Sequence, residues 1–143
     1  MYEKLISKLK QVRVYDVIDD YMIDNETKIL NLVRERLNRG DGVNGGIIGE
    51  YSSLSYSYFK QSRNPLAGGY VDLYLTGALQ KALEIRQEAQ GKYLIHSTDK
   101  KYFNLAKKYG KEQFGLTDEQ QKKVKQEALK EVINQISKCY EYN

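Results

Sequence analysis

The sequence has very few of the residues that build disulfides, metal clusters and rigid turns. It contains one cysteine, one histidine, one proline and no tryptophan among 143 residues. A single cysteine excludes an internal disulfide and a metal cluster held by several thiolates. Cys139 lies near the end of an apolar-striped helix, so we expect a small packed side chain there rather than a nucleophile.

Long apolar runs are also missing. No stretch approaches the roughly 20 apolar residues that a membrane-spanning helix needs. The opening sequence MYEKLISKLKQ places charged residues between its apolar ones, unlike the core of a signal peptide. We therefore expect synthesis in the cytoplasm and no membrane partner.

The residues that are present have the composition of a soluble globular protein, with 41% apolar and 29% charged residues and a net charge of +4. This length predicts a single domain, 1–143, with an N-terminal helical segment (1–39), a glycine-rich loop (40–46) and an α+β core (47–143). Thirteen tyrosines are the most unusual feature. Tyrosine suits surfaces that are buried on assembly, and it is equally an ordinary core and strand residue.

Apolar spacing predicts helices over the first 39 residues. One stripe begins at Leu5, and Asp24-Asn25 predicts a break with an N-cap for the second helix. Residues 39–46, half of them glycine, predict a mobile surface loop. The sequence IIGEYSS is then a candidate strand, and SLSYSYFKQSRNP is either a helical turn or a strand.

The second half begins with a short predicted helix in LTGALQKAL, capped by Thr76. The clearest strand signal is a β-hairpin over about 83–97, because apolar and polar residues alternate on both sides of a Gln90-Gly91 turn. Ser97-Thr98-Asp99 predicts the cap of the next helix, which Gly110 ends in the left-handed conformation. The sequence EQFGL is expected to be extended.

The last helix has the strongest start signal, because Thr117 and Gln120 have the spacing of a capping box. Its apolar stripe consists of Val124, Ala128, Val132, Ile133, Ile136 and Tyr140. Such a stripe lies against another part of the protein, and we expect the helix to pack on a small antiparallel sheet. The predicted fold class is therefore α+β, with N-terminal helices, the hairpin and this C-terminal helix.

The glycine loop and the lone histidine are weak site candidates. The sequence GDGVNGGIIG lacks the Gly-Lys-Ser/Thr ending of a phosphate-binding loop. Asp41 and Asn44 lack the remaining ligands of a calcium loop. His96 has no serine or cysteine at a recognisable spacing. We predict no catalytic residue, no cofactor and no metal site.

Two charged regions are candidate contact surfaces. Asp16, Asp20 and Asp24, with Asp19 beside them, predict an acidic helix edge that is solvated or faces a basic partner. Residues 100–130 carry nine lysines against four acids. The aromatic residues interleaved with these lysines are Tyr102, Phe103, Tyr109 and Phe114.

Many proteins bind single-stranded nucleic acid by stacking aromatic side chains on the bases and contacting the phosphates with cationic side chains. The cluster has no arginine for base readout, and its aromatic residues have the spacing of a helix core. We favour a solvated cationic face. The alternative function is a small nucleic-acid-binding protein that uses residues 100–130.

One resemblance bears on function. VDLYLTGALQKAL, a strand pair and YFNLAKKYGKEQFGLTDEQQ together resemble the small virion-morphogenesis and tail-completion proteins of tailed bacteriophages. The likeness covers residues 71–143. It rests on Thr76-Gly77 before a short helix, on Tyr109-Gly110 and on the helix start at 115–119. Gln80 and Lys81 stand in the region where that family has an arginine.

The resemblance implies a non-enzymatic structural subunit of a phage virion, made in the host cytoplasm. Such a head-tail connector or tail-completion protein forms an oligomeric ring and contacts other neck or tail proteins. With Asp16, Asp20 and Asp24 at one end and the lysines at the other, we expect head-to-tail contacts, which close into rings when the rotation permits.

Overall fold

A computed structural model of the chain describes residues 2–4, 6–7, 13–73 and 77–141, and the side chains among them as far as residue 138. Four sequence predictions lie outside this described part. They are the start of the first stripe at Leu5, the cap at Thr76 and the side-chain positions of Cys139 and Tyr140.

The described chain contains helices and one two-stranded antiparallel sheet, which confirms the predicted α+β class. In chain order the main elements are α1 (Val14–Asp24), α2 (Glu26–Asn38), α3 (Leu54–Arg63), α4 (Ala78–Lys81), β1 (Leu83–Ala89), β2 (Lys92–Ser97), α5 (Tyr102–Tyr109) and α6 (Asp118–Glu141). Short 3-10 turns occupy Pro65–Ala67 and Lys111–Phe114.

Asn25 separates α1 from α2, which confirms the predicted break. Its side chain serves the end of α1 rather than the start of α2, because its Nδ2 donates to the carbonyl oxygen of Tyr21 at 2.9 Å. The same carbonyl also accepts from the Asn25 backbone amide at 3.0 Å, so the side chain adds a second donor at the end of α1.

The hairpin has the predicted extent. Glu84 lies opposite His96 and Ile85 opposite Ile95, and Gly91 in the turn has a positive φ of 70°. Ile85 and Ile95 pack against the main core. The buried members of that core come from α2, the 71–73 segment, α4, β1, α5 and the Lys111–Phe114 turn; they are Leu30, Val33, Leu37, Val71, Leu73, Leu79, Leu83, Tyr102 and Phe114.

Helix α6 packs along α1, whereas we expected the hairpin to be its support. Ala128 and Val132 are buried on this side of α6. The hydroxyl of Tyr21 donates to Glu127 Oε2 at 2.5 Å, which joins the two helices. Ile133, predicted on the buried stripe, is 59% exposed. The stripe is therefore narrower than its sequence pattern indicates.

Several local predictions differ from the structure. The IIGEYSS segment forms no strand, since only Ile47 pairs, in an isolated bridge with Asp41. Of the two alternatives for the tyrosine-rich segment after it, the helix is the one found. This helix, α3, is capped by Ser53 Oγ, which accepts from the Tyr56 amide at 3.3 Å. Gly110 does end α5, but its ψ of 136° lies outside the left-handed helical region.

The segment around EQFGL is compact rather than extended. Lys111–Phe114 forms a 3-10 turn, and Gly115 after it has extended backbone angles. The capping box beyond it is confirmed. The Gln120 amide donates to Thr117 Oγ1 at 3.2 Å, and the Thr117 amide donates to Gln120 Oε1 at 3.0 Å.

Candidate functional site

Helix α3 presents apolar side chains to solvent. Leu54 and Tyr58, one helical turn apart, are 75% and 69% exposed, and the neighbouring Phe59 is about half exposed. Leu66 in the following turn is also exposed. We call Leu54, Tyr58, Phe59, Arg63 and Leu66 the α3 surface. Clustered exposed apolar side chains of this kind mark interaction sites more often than isolated ones do.

The inner side of α3 is fixed by a buried ion pair. Lys60 Nζ lies 2.8 Å from Asp72 Oδ1, and the two side chains are 5% and 1% exposed. Asn64 Nδ2 donates to Asp72 Oδ2 at 3.0 Å and to the carbonyl oxygen of Asn38 at 2.6 Å. Both carboxylate oxygens of Asp72 therefore have partners, as a buried charge requires.

A close backbone approach holds the other end of α3. Ser57 Oγ donates to the carbonyl oxygen of Gly69 at 2.9 Å. A Cβ at position 69 would lie only 2.7 Å from Ser57 Oγ, and Gly69 has a positive φ of 83°. Glycine is therefore required here, and the turn that carries Leu66 is held against the helix.

A cleft of about 270 Å³ opens beside α3. Tyr51, Tyr56 and Tyr109 form part of its mainly apolar lining, with Lys60 among its few polar members. The rings of Tyr51 and Tyr56 meet edge to face, 4.9 Å apart. Burial, with the nearby Asp72 carboxylate, raises the pKa of Tyr51. Because Lys60 and Tyr56 belong to α3, the cleft and the α3 surface share one supporting helix.

The predicted acidic edge lies on α1. Asp16, Asp20 and Asp24 are exposed, and Asp16 forms a surface pair with Arg13 at 3.7 Å. Asp19 points elsewhere: it accepts hydrogen bonds from the Tyr93 hydroxyl and from Gln87 Nε2, both on the hairpin. The exposed edge therefore consists of three aspartates rather than four.

His96 occupies a strand position opposite Glu84. Its Nε2 lies 2.9 Å from Glu84 Oε1, and its ring meets the edge of Tyr102 at 6.1 Å between centroids. Among the described residues, no group of three or more His, Cys, Asp and Glu side chains is placed to hold a metal ion.

The structure places the aromatic residues of the lysine-rich segment in different environments. Tyr102 and Phe114 lie in the core with their rings edge to face at 4.9 Å, so neither can stack on a base. Phe103 is 78% exposed. Tyr109 lines the cleft, with Lys108 Nζ 5.2 Å from its ring centre.

The glycine-rich loop is tied down by a residue that sequence reasoning overlooked. Arg36 Nη1 donates to the carbonyl oxygen of Asp41 at 2.8 Å, and Nη2 donates to those of Gly115, at 2.9 Å, and Gln113. The Val43 amide also donates to Gln113 Oε1 at 2.9 Å. This loop therefore has fixed attachments to the segment between α5 and α6, whereas we predicted a mobile one.

The signals for these buried charges were present in the sequence. Arg36 follows Ile29 and Val33 at the spacing of the buried stripe of α2, and Asp72 interrupts the apolar run YVDLYL. A charged residue inside an apolar pattern predicts a buried polar contact. The pattern does not identify the partner of such a charged residue, because Lys60 and Asp72 come together only in the folded chain.

Comparisons of the chain with protein-family models, curated proteins and solved structures find no match. In the described part of the chain, no helix combines the length and apolar character needed to cross a membrane.

Proposed function

We propose that this chain is a non-enzymatic structural subunit of a tailed-phage virion, working in a neck or tail-completion ring. The α3 surface is the observation that supports an assembly role: Leu54, Tyr58 and Phe59 are exposed on a helix whose inner side is firmly held. The phage setting rests on the sequence resemblance over residues 71–143.

The anchoring of α3 favours binding for a physical reason. Association costs less conformational entropy when the contacting side chains already sit on a fixed element. Lys60 and Ser57 hold α3 from below, so the aromatic side chains above them need little reordering on contact. Aromatic residues with arginine are also the composition enriched in protein interfaces.

The nucleic-acid alternative has less support in the structure. The lysines of residues 100–130 could supply phosphate contacts, but Tyr102 and Phe114 are buried in the core and cannot stack on bases. Phe103 is the member of the set that is largely exposed. One aromatic among lysines provides charge attraction without the run of stacked rings that single-strand binders use.

The test compares the mass of the purified chain over a range of concentrations with that of a Tyr58→Ser, Phe59→Ser double variant. We expect the wild-type chain to assemble and the double variant to remain monomeric. Phe103→Ser is the control, because it removes an aromatic side chain from α5 that is more exposed than Tyr58 or Phe59. Denaturant unfolding of each variant shows that the fold is retained.

Two results would contradict the proposal. One is a wild-type chain that stays monomeric at every concentration. The other is equal loss of assembly in Phe103→Ser and in the α3 double variant. A monomer that binds DNA with an affinity falling steeply with salt concentration would favour the nucleic-acid alternative.

A further inference from the structure

The α3 surface carries apolar side chains and positive charge without any acid. Residues 51–70 contain Lys60 and Arg63 but neither aspartate nor glutamate. Lys60 is buried against Asp72, whereas Arg63 is exposed, with its Cζ 5.2 Å from the ring centre of Phe59. The outward charge of this surface is therefore that of a guanidinium lying beside an aromatic ring.

The outward edge of α1 has the opposite charge. Asp16, Asp20, Ile23 and Asp24 follow one another at helical spacing and are all exposed, Ile23 to 70%. Tyr15 beside them is about half exposed. This edge thus combines three carboxylates with apolar area, which is the complement of an apolar surface carrying an arginine.

The lysines of α6 are poor candidates to bind this acidic edge in a contact between two copies of the chain. Helices α1 and α6 pack together within one chain, and Lys28 Nζ already contacts Glu127 of α6 at 3.3 Å. The lysines of α6 therefore belong to a helix that packs on α1, whereas we expected the lysines of residues 100–130 at the end opposite the α1 acids. The other five lysines of that segment precede α6. We therefore consider the exposed Arg63 of the α3 surface as the cation that meets this acidic edge.

Building on the proposed function, we propose that the α1 edge of one copy binds the α3 surface of a second copy. Ile23 supplies the apolar contact to Tyr58 and Phe59, while Asp20 and Asp24 face Arg63. Because the two surfaces differ, a pair of copies keeps one free surface of each kind: the α3 surface of one copy and the α1 edge of the other. Such head-to-tail contacts extend and close into a ring when the rotation permits.

A charge exchange between two variants tests this contact. Asp20→Lys and Arg63→Glu each place like charges across it, so each variant alone should assemble at least about tenfold more weakly than wild type. An equimolar mixture should recover assembly in part. The lysine introduced at position 20 of one variant then meets the glutamate introduced at position 63 of the other, while Asp24 still faces that glutamate. The alternate contacts pair the wild-type Asp20 and Asp24 with the wild-type Arg63. Glu35→Lys, which reverses an exposed acid on α2, is the control and should assemble normally.

The outcomes separate this inference from the proposed function. If wild type assembles and the Tyr58→Ser, Phe59→Ser variant does not, but Asp20→Lys assembles normally, the inference fails and the proposed function stands. If both charge variants lose assembly and their mixture does not recover it, the two surfaces do not pair with each other, and the inference fails in this case too. A wild-type chain that never assembles overturns both proposals.

Discussion

The Arg36 side chain explains why two glycine-containing segments lie together. It is only 2% exposed, and its guanidinium joins the carbonyls of Asp41, Gln113 and Gly115. Burial lowers the pKa of this guanidinium, because a charge withdrawn from water is destabilised. Three hydrogen bonds to backbone oxygens offset that cost and connect α2 to both segments.

Replacing Arg36 with methionine should lower the free energy of unfolding by about 2–4 kcal/mol, since three partly buried hydrogen bonds from a charged donor would be lost. Equilibrium denaturation with urea measures the change. Arg39→Met is the matched control: Arg39 forms an exposed pair with Asp41 at 3.0 Å, so its loss should cost less than about 1 kcal/mol. Similar costs for the two variants would show that the buried guanidinium contributes little.

The Lys60–Asp72 pair makes a second prediction at the level of single residues. Lys60→Met should cost about 3–5 kcal/mol, because it takes this cation away from the buried Asp72 carboxylate. Adding Asp72→Asn should recover part of this loss by removing the buried negative charge. Urea unfolding of the single and double variants gives both numbers. A double variant less stable than Lys60→Met would contradict the argument.

Among the elements, the ones with local signals could be predicted from the sequence. The hairpin, the Asn25 break and the start of α6 each depend on residues within a few positions of one another. Removing the α6 cap with Thr117→Ala should cost about 1 kcal/mol of stability, measured by urea unfolding. Thr27→Ala, at an exposed position in the first turn of α2, is a control with the opposite sign, because alanine has a higher helix propensity than threonine.

The elements that could not be predicted depend on distant partners. Leu54, Tyr56 and Tyr58 alternate as in a strand, so the sequence left helix and strand open for this segment. Ser53 supplies a local helix cap, but the buried Lys60–Asp72 pair forms only in the fold. The packing of α6 on α1 could not be predicted either, because the apolar stripe of α6 does not show whether it covers α1 or the hairpin. For the candidate site, the sequence indicated the abundance of tyrosine, but only the fold shows which tyrosines remain exposed.

Over the whole molecule, tyrosines serve two separate purposes. Tyr21 and Tyr93 connect α1 to α6 and to the hairpin through bonds to Glu127 and Asp19, and Tyr102 lies in the core. Tyr58 and its neighbours on α3 remain at the surface. The joining tyrosines make the stability of the fold depend on the protonation of their hydroxyl groups.

The contribution of these tyrosine hydroxyls to stability decreases at alkaline pH. Burial, followed by the hydrogen bond to Glu127, raises the pKa of Tyr21 to about 12, and burial also raises those of Tyr51, Tyr93 and Tyr102. In the unfolded chain these hydroxyls lose their protons near the ordinary tyrosine pKa of about 10. Their contribution is therefore complete below about pH 10 and is lost as pH rises through the folded-state values.

We expect the free energy of unfolding to fall steadily above about pH 10, measured by urea unfolding at a series of pH values. Phenolate absorbance should show part of the tyrosine signal appearing only as the protein unfolds. Tyr21→Phe and Tyr93→Phe should each reduce the slope of stability against pH, because each removes one hydroxyl whose pKa the fold raises. An unchanged slope in both variants would mean that the alkaline loss arises from other groups, and that the bonds from α1 to α6 and to the hairpin do not couple the fold to pH.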